Sequence, residues 1–265
     1  MKSTPVLNIV IPMAGRGSRF AEAGFLDPKP MIPVGGRPMI EWIIDNIRPS
    51  RAHHFIFLCL GEHLQRYPQV ALKLRELCPG CDIIAVDQVT EGAACTVLLA
   101  RDWIDSEAPL MIANSDQIVD LPIDEYLASA DLADADGLIM TFWADDPKWS
   151  YCRLAATGQV TEVVEKQVVS HDATVGIYNF RRGADFVRSA DQMIQRDLRV
   201  NGEFYVAPTY NSLIAESLKI VVKETGREGL GMYGLGIPAD LDLFKQTRYY
   251  LSRIETTPPP TPSAF

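Results

Sequence analysis

The chain has 265 residues, 47% of them hydrophobic, and a formal net charge of −9 at pH 7. This length suffices for one α/β domain with a substantial core, and no apolar run approaches the ~20 residues of a membrane-spanning helix. The acidic balance also argues against a general nucleic-acid-binding protein, because such proteins gain affinity by neutralising many phosphates.

The first predicted strand, residues 7–13, runs into a glycine-rich turn that carries two arginines. The turn reads A-G-R-G-S-R from Ala14 to Arg19, and Lys29 follows between two prolines. Because glycine lacks a Cβ, backbone N–H groups can approach an anion there, and guanidinium groups form bidentate contacts with phosphate. The segment therefore predicts a phosphate-binding site.

Two better-known phosphate-binding patterns fit this turn poorly. A dehydrogenase fingerprint requires a third glycine, where this chain has Phe20, and a continuous helix, where it has Pro-Lys-Pro around Lys29. A P-loop would end in Gly-Lys followed by Ser or Thr, which is absent here. The remaining alternative is an ordinary strand-to-loop turn with solvated arginines.

Strand-like and helix-like segments then alternate, which predicts an α/β fold with a Rossmann-like, mixed but mainly parallel sheet flanked by helices. The predicted strands are residues 7–13, 54–60, 82–86, 110–113 and 137–142. The predicted helices are residues 39–47, 62–77, 93–103 and 123–129.

The chain has five cysteines, an odd number, and their spacing does not match that of a disulfide-bonded protein. The N-terminus shows no signal-peptide pattern. Both features predict reduced thiols and a cytoplasmic protein. Cys78 and Cys81 form a C-x-x-C pair around Pro-Gly, which is typical of a turn between a helix and a strand. The alternative is a zinc site completed by nearby histidines, or a redox pair.

Asp116 closes the segment Asn-Ser-Asp that follows the predicted strand 110–113. Open α/β sheets bind ligands at the carboxyl ends of their strands. Mg²⁺ takes one or two carboxylates together with substrate phosphates. The sequence therefore predicts Asp116 as a Mg²⁺ ligand, with a turn-forming aspartate as the alternative.

The second half of the chain has a different pattern, with shorter strands predicted at residues 151–155, 160–164 and 174–180. Helices are predicted at residues 184–196 and from Pro238 onward. We expect one domain over residues 1–255, in which the pattern changes at about residue 143. Residues 256–265 are rich in proline and predict a flexible tail.

Taken together, the motifs resemble those of the sugar-1-phosphate nucleotidyltransferases. The resemblance is most specific in P-M-A-G-R-G-S-R-F followed by P-K-P-M-I-P-V, and it continues in order at residues 88–94, 114–116, 165–166 and 175–178. It implies a GT-A-like nucleotidyltransferase fold and Mg²⁺ as cofactor. It also implies a nucleoside-triphosphate-binding half at about residues 1–143 and an acceptor-binding half at about residues 144–255. It implies catalytic roles for Arg19, Lys29 and Asp116, nucleotide binding by Ala14, Gly15, Arg16, Gly17, Gln88 and Gly92, and acceptor binding by Tyr151, Glu165, Lys166, Gly176 and Glu203.

The chain departs from the family pattern at two positions. Gly234 stands where many relatives place a second metal-binding aspartate, so nearby Asp240 is a weaker candidate for that role, or a first-turn carboxylate of a helix. Tyr151 stands where many hexose-1-phosphate enzymes have a glycine close to the sugar. We therefore expect an acceptor that is smaller than a hexose phosphate or has a different shape.

The expected reaction transfers a nucleoside monophosphate from a nucleoside triphosphate, with a pyrimidine favoured, to a sugar-1-phosphate or another small phosphorylated acceptor, and releases pyrophosphate. Three alternatives remain: a cytidylyltransferase for a phosphocholine-like phosphate or a phosphonate, a non-catalytic nucleotide-binding regulatory subunit, and a metal-dependent glycosyltransferase. The last would be expected to carry D-x-D, whereas residues 114–116 hold one carboxylate. A homo-oligomer is compatible with each of them.

Overall fold

The computed structural model describes residues 5–256. In this range the strands are β1 (Leu7–Met13), β2 (Pro33–Val34), β3 (Arg37–Pro38), β4 (His53–Leu60), β5 (Asp82–Val86), β6 (Leu110–Ala113), β7 (Gln117–Val119), β8 (Gly137–Trp143), β9 (Ser150–Leu154), β10 (Val160–Glu165), β11 (Asp172–Phe180), β12 (Ile220–Glu228) and β13 (Gly231–Gly234). The helices are α1 (Ser18–Glu22), α2 (Met39–Ile47), α3 (Gly61–Arg66), α4 (Gln69–Leu77), α5 (Ala93–Leu98), α6 (Arg101–Ile104), α7 (Ile123–Ala133), α8 (Gly183–Gln195), α9 (Tyr210–Ala215), α10 (Pro238–Phe244) and α11 (Arg248–Thr256).

One large sheet takes strands from both predicted halves of the chain. Its order is β5, β4, β1, β6, β11, β8, β12, β13 and β7, and a ribbon of β9 and β10 joins through β11. The first four strands are parallel, β11 is antiparallel to both of its neighbours, and β12 is parallel to β8. This confirms the predicted mixed, mainly parallel sheet flanked by helices.

The sheet buries a hydrophobic core on each face. Along β1, Ile9 and Ile11 belong to one apolar cluster and Val10 belongs to the other. In β6, Leu110 and Met111 are divided between the clusters in the same way. Because successive strand residues point to opposite faces, an uninterrupted apolar run is what a strand covered on both sides requires.

Strand β1 is the point at which the order of strands in the sheet reverses, because later strands are added on both of its sides. The connection that leaves β1 leads to β4 on one side, whereas β6 pairs with β1 on the other, with Asn8 opposite Leu110 and Val10 opposite Ile112. At such a switch point the connections diverge, so a crevice opens outside the carboxyl ends of the two strands. The glycine-rich turn and Asp116 both lie at this crevice.

Three predicted helices are each divided. The segment 93–103 forms α5 and α6, which are separated by Leu99 and Ala100. The segment 62–77 forms α3 and α4, because Pro68 has no N–H to continue the first helix. The segment from Pro238 toward Leu251 forms α10 and α11, and the Thr247 hydroxyl at the break accepts a hydrogen bond from the Tyr250 N–H at 3.2 Å. The remainder of the predicted tail, residues 257–265, lies outside the described residues.

The C-x-x-C pair forms the predicted turn, with the Cys81 N–H donating to the Cys78 carbonyl at 3.0 Å. All five cysteines are free thiols. Among the helices of residues 5–256, none has the length and apolarity needed to cross a bilayer.

Candidate active site

A cleft of about 600 Å³ opens at the carboxyl ends of β1 and β6. Its wall combines the glycine-rich turn, the segment around Lys29, residues 114–116, Glu203 and Gly236. The fold thus brings together a motif that is local in sequence with groups from three distant segments.

The glycine-rich turn has the conformation that the sequence predicts. Gly17 has a φ of +64°, and a Cβ there would lie 3.3 Å from the Lys29 Cβ, so the missing side chain lets Lys29 pack against the turn. A Cβ at Gly15 would meet no atom within 4 Å, so this part of the turn faces open space. Ala14, in contrast, is buried in the core.

The two arginines of the turn occupy different surroundings. Arg19 is exposed and lines the cleft, and no other described residue forms an ion pair with it. Arg16 is also exposed but lies outside the cleft wall, on the side of His63. Burial lowers the pKa of the His63 imidazole, and the positive charge of Arg16 lowers it further. Arg19 is therefore the arginine available to a ligand in the cleft.

Lys29 and Asp116 form an ion pair within the cleft. The Lys29 ammonium lies 2.6 Å from the Asp116 carboxylate, and the two side chains are 18% and 25% exposed. The sequence predicts the lysine as a phosphate ligand and the aspartate as a metal ligand. Each of the two side chains therefore neutralises the charge of the other.

A second carboxylate, Asp240, lies beside the loop between β13 and α10 that contains Gly236. A Cβ at Gly236 would lie 3.6 Å from an oxygen of Asp116 and 3.6 Å from an oxygen of Asp240. The loop is tied to the Asp116 segment, because the Leu235 N–H donates to the Asp116 carbonyl at 2.7 Å. Residues 5–256 contain no cluster of three His, Cys, Asp or Glu side chains suited to a metal. Asp116 lines the larger cleft, whereas Asp240 lines a separate cleft of about 390 Å³ together with Gly234.

A smaller cleft of about 250 Å³ lies next to the first and shares Asn114 with it. Glu165 and Lys166 line it, together with Trp149 and Ser150 from the start of β9. The Ser150 hydroxyl donates to the buried Glu165 carboxylate, and the Lys166 ammonium lies 3.5 Å from that carboxylate. Burial raises the pKa of Glu165, although the hydrogen bond from Ser150 and the charge of Lys166 oppose this shift.

Gly176 lies at the junction of the two clefts. Its φ is +97°, and a Cβ there would lie 2.3 Å from the Nδ2 atom of Asn114. The Asn114 N–H donates to the Gly176 carbonyl at 2.9 Å. Gly176 therefore lets the Asn114 amide lie between the clefts. The sequence analysis includes Asn114 only as the first residue of the Asn-Ser-Asp segment and does not predict its position between the clefts. The feature that could have indicated this position is a polar amide directly after a buried strand.

Glu203 lines the larger cleft, and it is close enough to Glu165 in the smaller cleft for its charge to help raise the pKa of that carboxyl. It follows a two-residue turn in which Asn201 and Gly202 have φ values of +51° and +81°. Val200 and Glu203 exchange backbone hydrogen bonds of 3.0 and 3.1 Å across that turn. Asn-Gly is the sequence best suited to such a hairpin, since both residues tolerate positive φ.

Tyr151 lies in the core instead of in the acceptor site. Its ring is fully buried and its hydroxyl donates to the Asp146 carbonyl at 2.7 Å. Neighbouring strand residues point to opposite faces, and because Ser150 faces Glu165, Tyr151 has to face the core. The expectation that this ring narrows the acceptor site, and with it the expectation of an acceptor smaller than a hexose phosphate, loses its basis.

Gln88 and Gly92 follow β5 at the same edge of the sheet, outside the lining of both clefts. Gln88 is exposed. Gly92 has a φ of +134°, and a Cβ there would lie 2.4 Å from the Phe204 carbonyl oxygen. The Phe204 N–H donates to the Glu91 carbonyl at 2.8 Å, so Gly92 permits close packing beside the segment that carries Glu203.

Comparison with known proteins gives consistent results. Residues 9–199 match a family model described as nucleotidyl transferase. The chain is 26% identical over 187 residues to "Bifunctional protein GlmU" of Methanococcus maripaludis strain C5, with 66% of this chain and 40% of that protein covered. It is 27% identical over 185 residues to a "probable mannose-1-phosphate guanylyltransferase 2" of Arabidopsis thaliana, with 65% and 50% covered. The chain thus spans half or less of the length of these relatives.

Solved structures share the fold. A nucleoside-diphosphate-sugar pyrophosphorylase from Vibrio cholerae superposes with a TM-score of 0.74 at 25% identity, over 90% of this chain and all of that one. A UDP-glucose pyrophosphorylase complexed with UDP-glucose superposes with a TM-score of 0.73 at 17% identity, over 94% of this chain and all of that one.

Proposed function

The chain belongs to the nucleotidyl transferase family, and we propose that it transfers a nucleoside monophosphate from a nucleoside triphosphate to a small phosphorylated acceptor, releasing pyrophosphate. The observation that carries the proposal is the adjacency of the two clefts. The larger cleft is lined by the glycine-rich turn, Arg19 and Lys29 at the switch point of the sheet, and the smaller cleft joins it at Asn114. Two substrates bound in these clefts would meet at this junction.

In the proposed reaction a phosphate oxygen of the acceptor attacks the α-phosphorus of the triphosphate. A new P–O bond forms, the bond from the α-phosphorus to the oxygen bridging to the β-phosphate breaks, and pyrophosphate leaves with that electron pair. The acceptor is already an anion, so no general base is needed. The chain has to align two anions and offset their repulsion, which Arg19 and Lys29 are placed to do.

Mg²⁺ fits the donors of the larger cleft, where Asp116 would hold it and where it would supply positive charge beside the phosphates. The Lys29 ammonium, which pairs with Asp116, would contact a phosphate oxygen of the triphosphate.

Support for a sugar-1-phosphate acceptor comes from the names of the relatives, which include a mannose-1-phosphate guanylyltransferase and a nucleoside-diphosphate-sugar pyrophosphorylase. The smaller cleft agrees with a polyol, since Glu165 and Ser150 can exchange hydrogen bonds with hydroxyl groups. The proposed pyrimidine base follows from the family resemblance of residues 88–94, in which the Gln88 amide could donate and accept at a base edge. The proposed cytoplasmic location rests on the five free thiols.

Pyrophosphate release tests the proposal. The full-length chain is incubated with Mg²⁺, each nucleoside triphosphate in turn, and a panel of sugar-1-phosphates, phosphocholine and phosphonates. We expect release that depends on both substrates and labelled nucleotide in the acceptor product. Nucleotide binding without turnover for any acceptor would instead favour a regulatory subunit, and sugar transfer from a nucleotide sugar would favour a glycosyltransferase.

A further inference from the structure

Asn114 is the residue that the two clefts have in common. Within residues 5–256, the linings of the larger and the smaller cleft share Asn114 and no other residue. Asn114 directly follows Ala113, the last residue of β6, so it lies at the carboxyl end of a central strand. A substrate in either cleft would therefore lie beside this residue.

The side-chain amide of Asn114 has room at the junction but no partner there. Gly176 provides the room, because a Cβ at that position would lie 2.3 Å from Asn114 Nδ2. The half-buried Asn114 side chain forms no hydrogen bond with another described residue. It does not use even Gln117 Oε1, which is 3.1 Å from the same Cβ position and is itself buried and unpaired. The two N–H donors of the amide are therefore available to a ligand.

The reacting phosphorus has to lie at this junction in the proposed reaction. An acceptor oxygen attacks in line only when it is within about 3–3.5 Å of the α-phosphorus. Arg19 and Lys29 line the larger cleft, whereas Glu165 and Lys166 line the smaller one. Ligands bound in the two clefts can approach each other this closely only where the clefts meet, beside Asn114. The non-bridging oxygens of the α-phosphoryl group would then be next to its amide.

From this geometry we infer that Asn114 is a catalytic residue, whose side-chain amide donates a hydrogen bond to a non-bridging oxygen of the α-phosphoryl group during its transfer. The inference rests on the proposed function and adds no covalent step, because the amide gives up no proton. A donor that is already in place stabilises charge on these oxygens without a cost of reorientation. Gly176 contributes by leaving the amide its position at the junction.

The single-turnover rate at saturating concentrations of both substrates tests the inference. The full chain is used with Mg²⁺ and with the triphosphate and acceptor that give the fastest pyrophosphate release. We expect Asn114→Ala to lower this rate at least about tenfold, the lower end of what a hydrogen bond to a charged group contributes. Asn114→Leu keeps a side chain of similar volume without a donor, and it should lose as much.

Asn8→Ala is the matched control. It also removes a side-chain amide, but Asn8 lies near the amino end of β1, where it donates to the Trp103 carbonyl at 3.1 Å, and it lines neither cleft. Its rate should equal that of the wild type. Thermal unfolding of every variant shows whether the fold is retained.

Two results would overturn the inference. If folded Asn114→Leu reacts as fast as the wild type, the side chain only fills space at the junction. If the rate at saturation is unchanged and only the Kd of the triphosphate or the KM of the acceptor rises, Asn114 contributes to substrate binding and not to the transition state.

The proposed function fails in a different way. If the wild type releases no pyrophosphate with any triphosphate and acceptor, the proposed function is wrong and the inference fails with it. If the wild type is active and Asn114→Ala has the same rate at saturation, only the inference is wrong.

Discussion

The two clefts differ in how their polar groups are partnered. In the larger cleft Arg19 forms no ion pair with another described residue, and Lys29 and Asp116 form an ion pair only with each other within that part of the chain. In the smaller cleft Glu165 already accepts a hydrogen bond from Ser150 and lies near Lys166. The first arrangement suits a charged ligand that completes it, whereas the second suits a ligand that fits a preformed network. Charge should therefore dominate binding in one cleft and shape in the other.

The largest effect is expected from Lys29→Ala in the larger cleft. Loss of one preorganised charged donor typically costs about 100-fold or more in turnover. The measurement is pyrophosphate release at saturating substrates. Lys73→Ala is the control, because Lys73 pairs with Glu76 on α4 and lines neither cleft. Turnover within a few-fold of wild type would show that the ion pair with Asp116 is structural.

The second-largest effect is expected from Gly176→Ala, at the junction of the two clefts. The new Cβ would lie 2.3 Å from the Asn114 amide at a φ of +97°, and such backbone strain costs about 1–3 kcal/mol. We expect a lower free energy of unfolding in denaturant together with a lower kcat, since Asn114 must move. Gly158→Ala is the matched control, because Gly158 has a φ of +81° and its Cβ position is open. Equal destabilisation of both variants would mean that strain alone acts at Gly176.

Glu165 should give the smaller cleft a pH dependence. Burial raises the pKa of Glu165, and its ordinary value is 4.5. A carboxyl whose pKa is raised on folding stabilises the protein below 4.5 and loses that contribution as the pH rises through the raised value. Relative to wild type, Glu165→Gln should therefore gain stability as the pH increases from about 4 to 7.

Denaturant unfolding across this pH range measures the effect, and Glu162→Gln, in an exposed position of the same strand, is the control. If the difference in free energy of unfolding between wild type and Glu165→Gln did not change with pH, the inferred increase in the pKa of the buried Glu165 carboxyl would be wrong. Glu165→Gln should also raise the KM for the acceptor while leaving triphosphate binding unchanged, which separates the two clefts.

The fold could be predicted where the local sequence determines it. Strands β1, β5 and β6 and helix α2 have the predicted bounds, because each is an apolar run or an apolar periodicity limited by turn residues. Strand β12 was not predicted. The C-terminal half of β12 carries Lys, Glu and Arg and lacks the apolar pattern of a strand. Its strand conformation depends on parallel pairing with β8, and the local sequence does not encode that pairing.

The candidate site divides in the same way. The glycine-rich turn and Lys29 are close in sequence, so the sequence shows that they lie together. Asn114 acquires its position beside Gly176, more than 60 residues away in the sequence. Tertiary packing determines this position, and no spacing in the sequence encodes it.

The smallest expected effect is that of Tyr151→Phe, and it tests whether β9 separates the core from the acceptor cleft. The variant removes the hydrogen bond to the Asp146 carbonyl and keeps the buried ring, so we expect a loss of about 0.5–1.5 kcal/mol in the free energy of unfolding. The kcat/KM values for the acceptor panel should keep their order, because Ser150, and not Tyr151, faces Glu165. Ser150→Ala provides the comparison, since it should alter acceptor preference through the Glu165 carboxylate. If Tyr151→Phe reordered the acceptors while Ser150→Ala did not, the assignment of the two faces of β9 would be reversed.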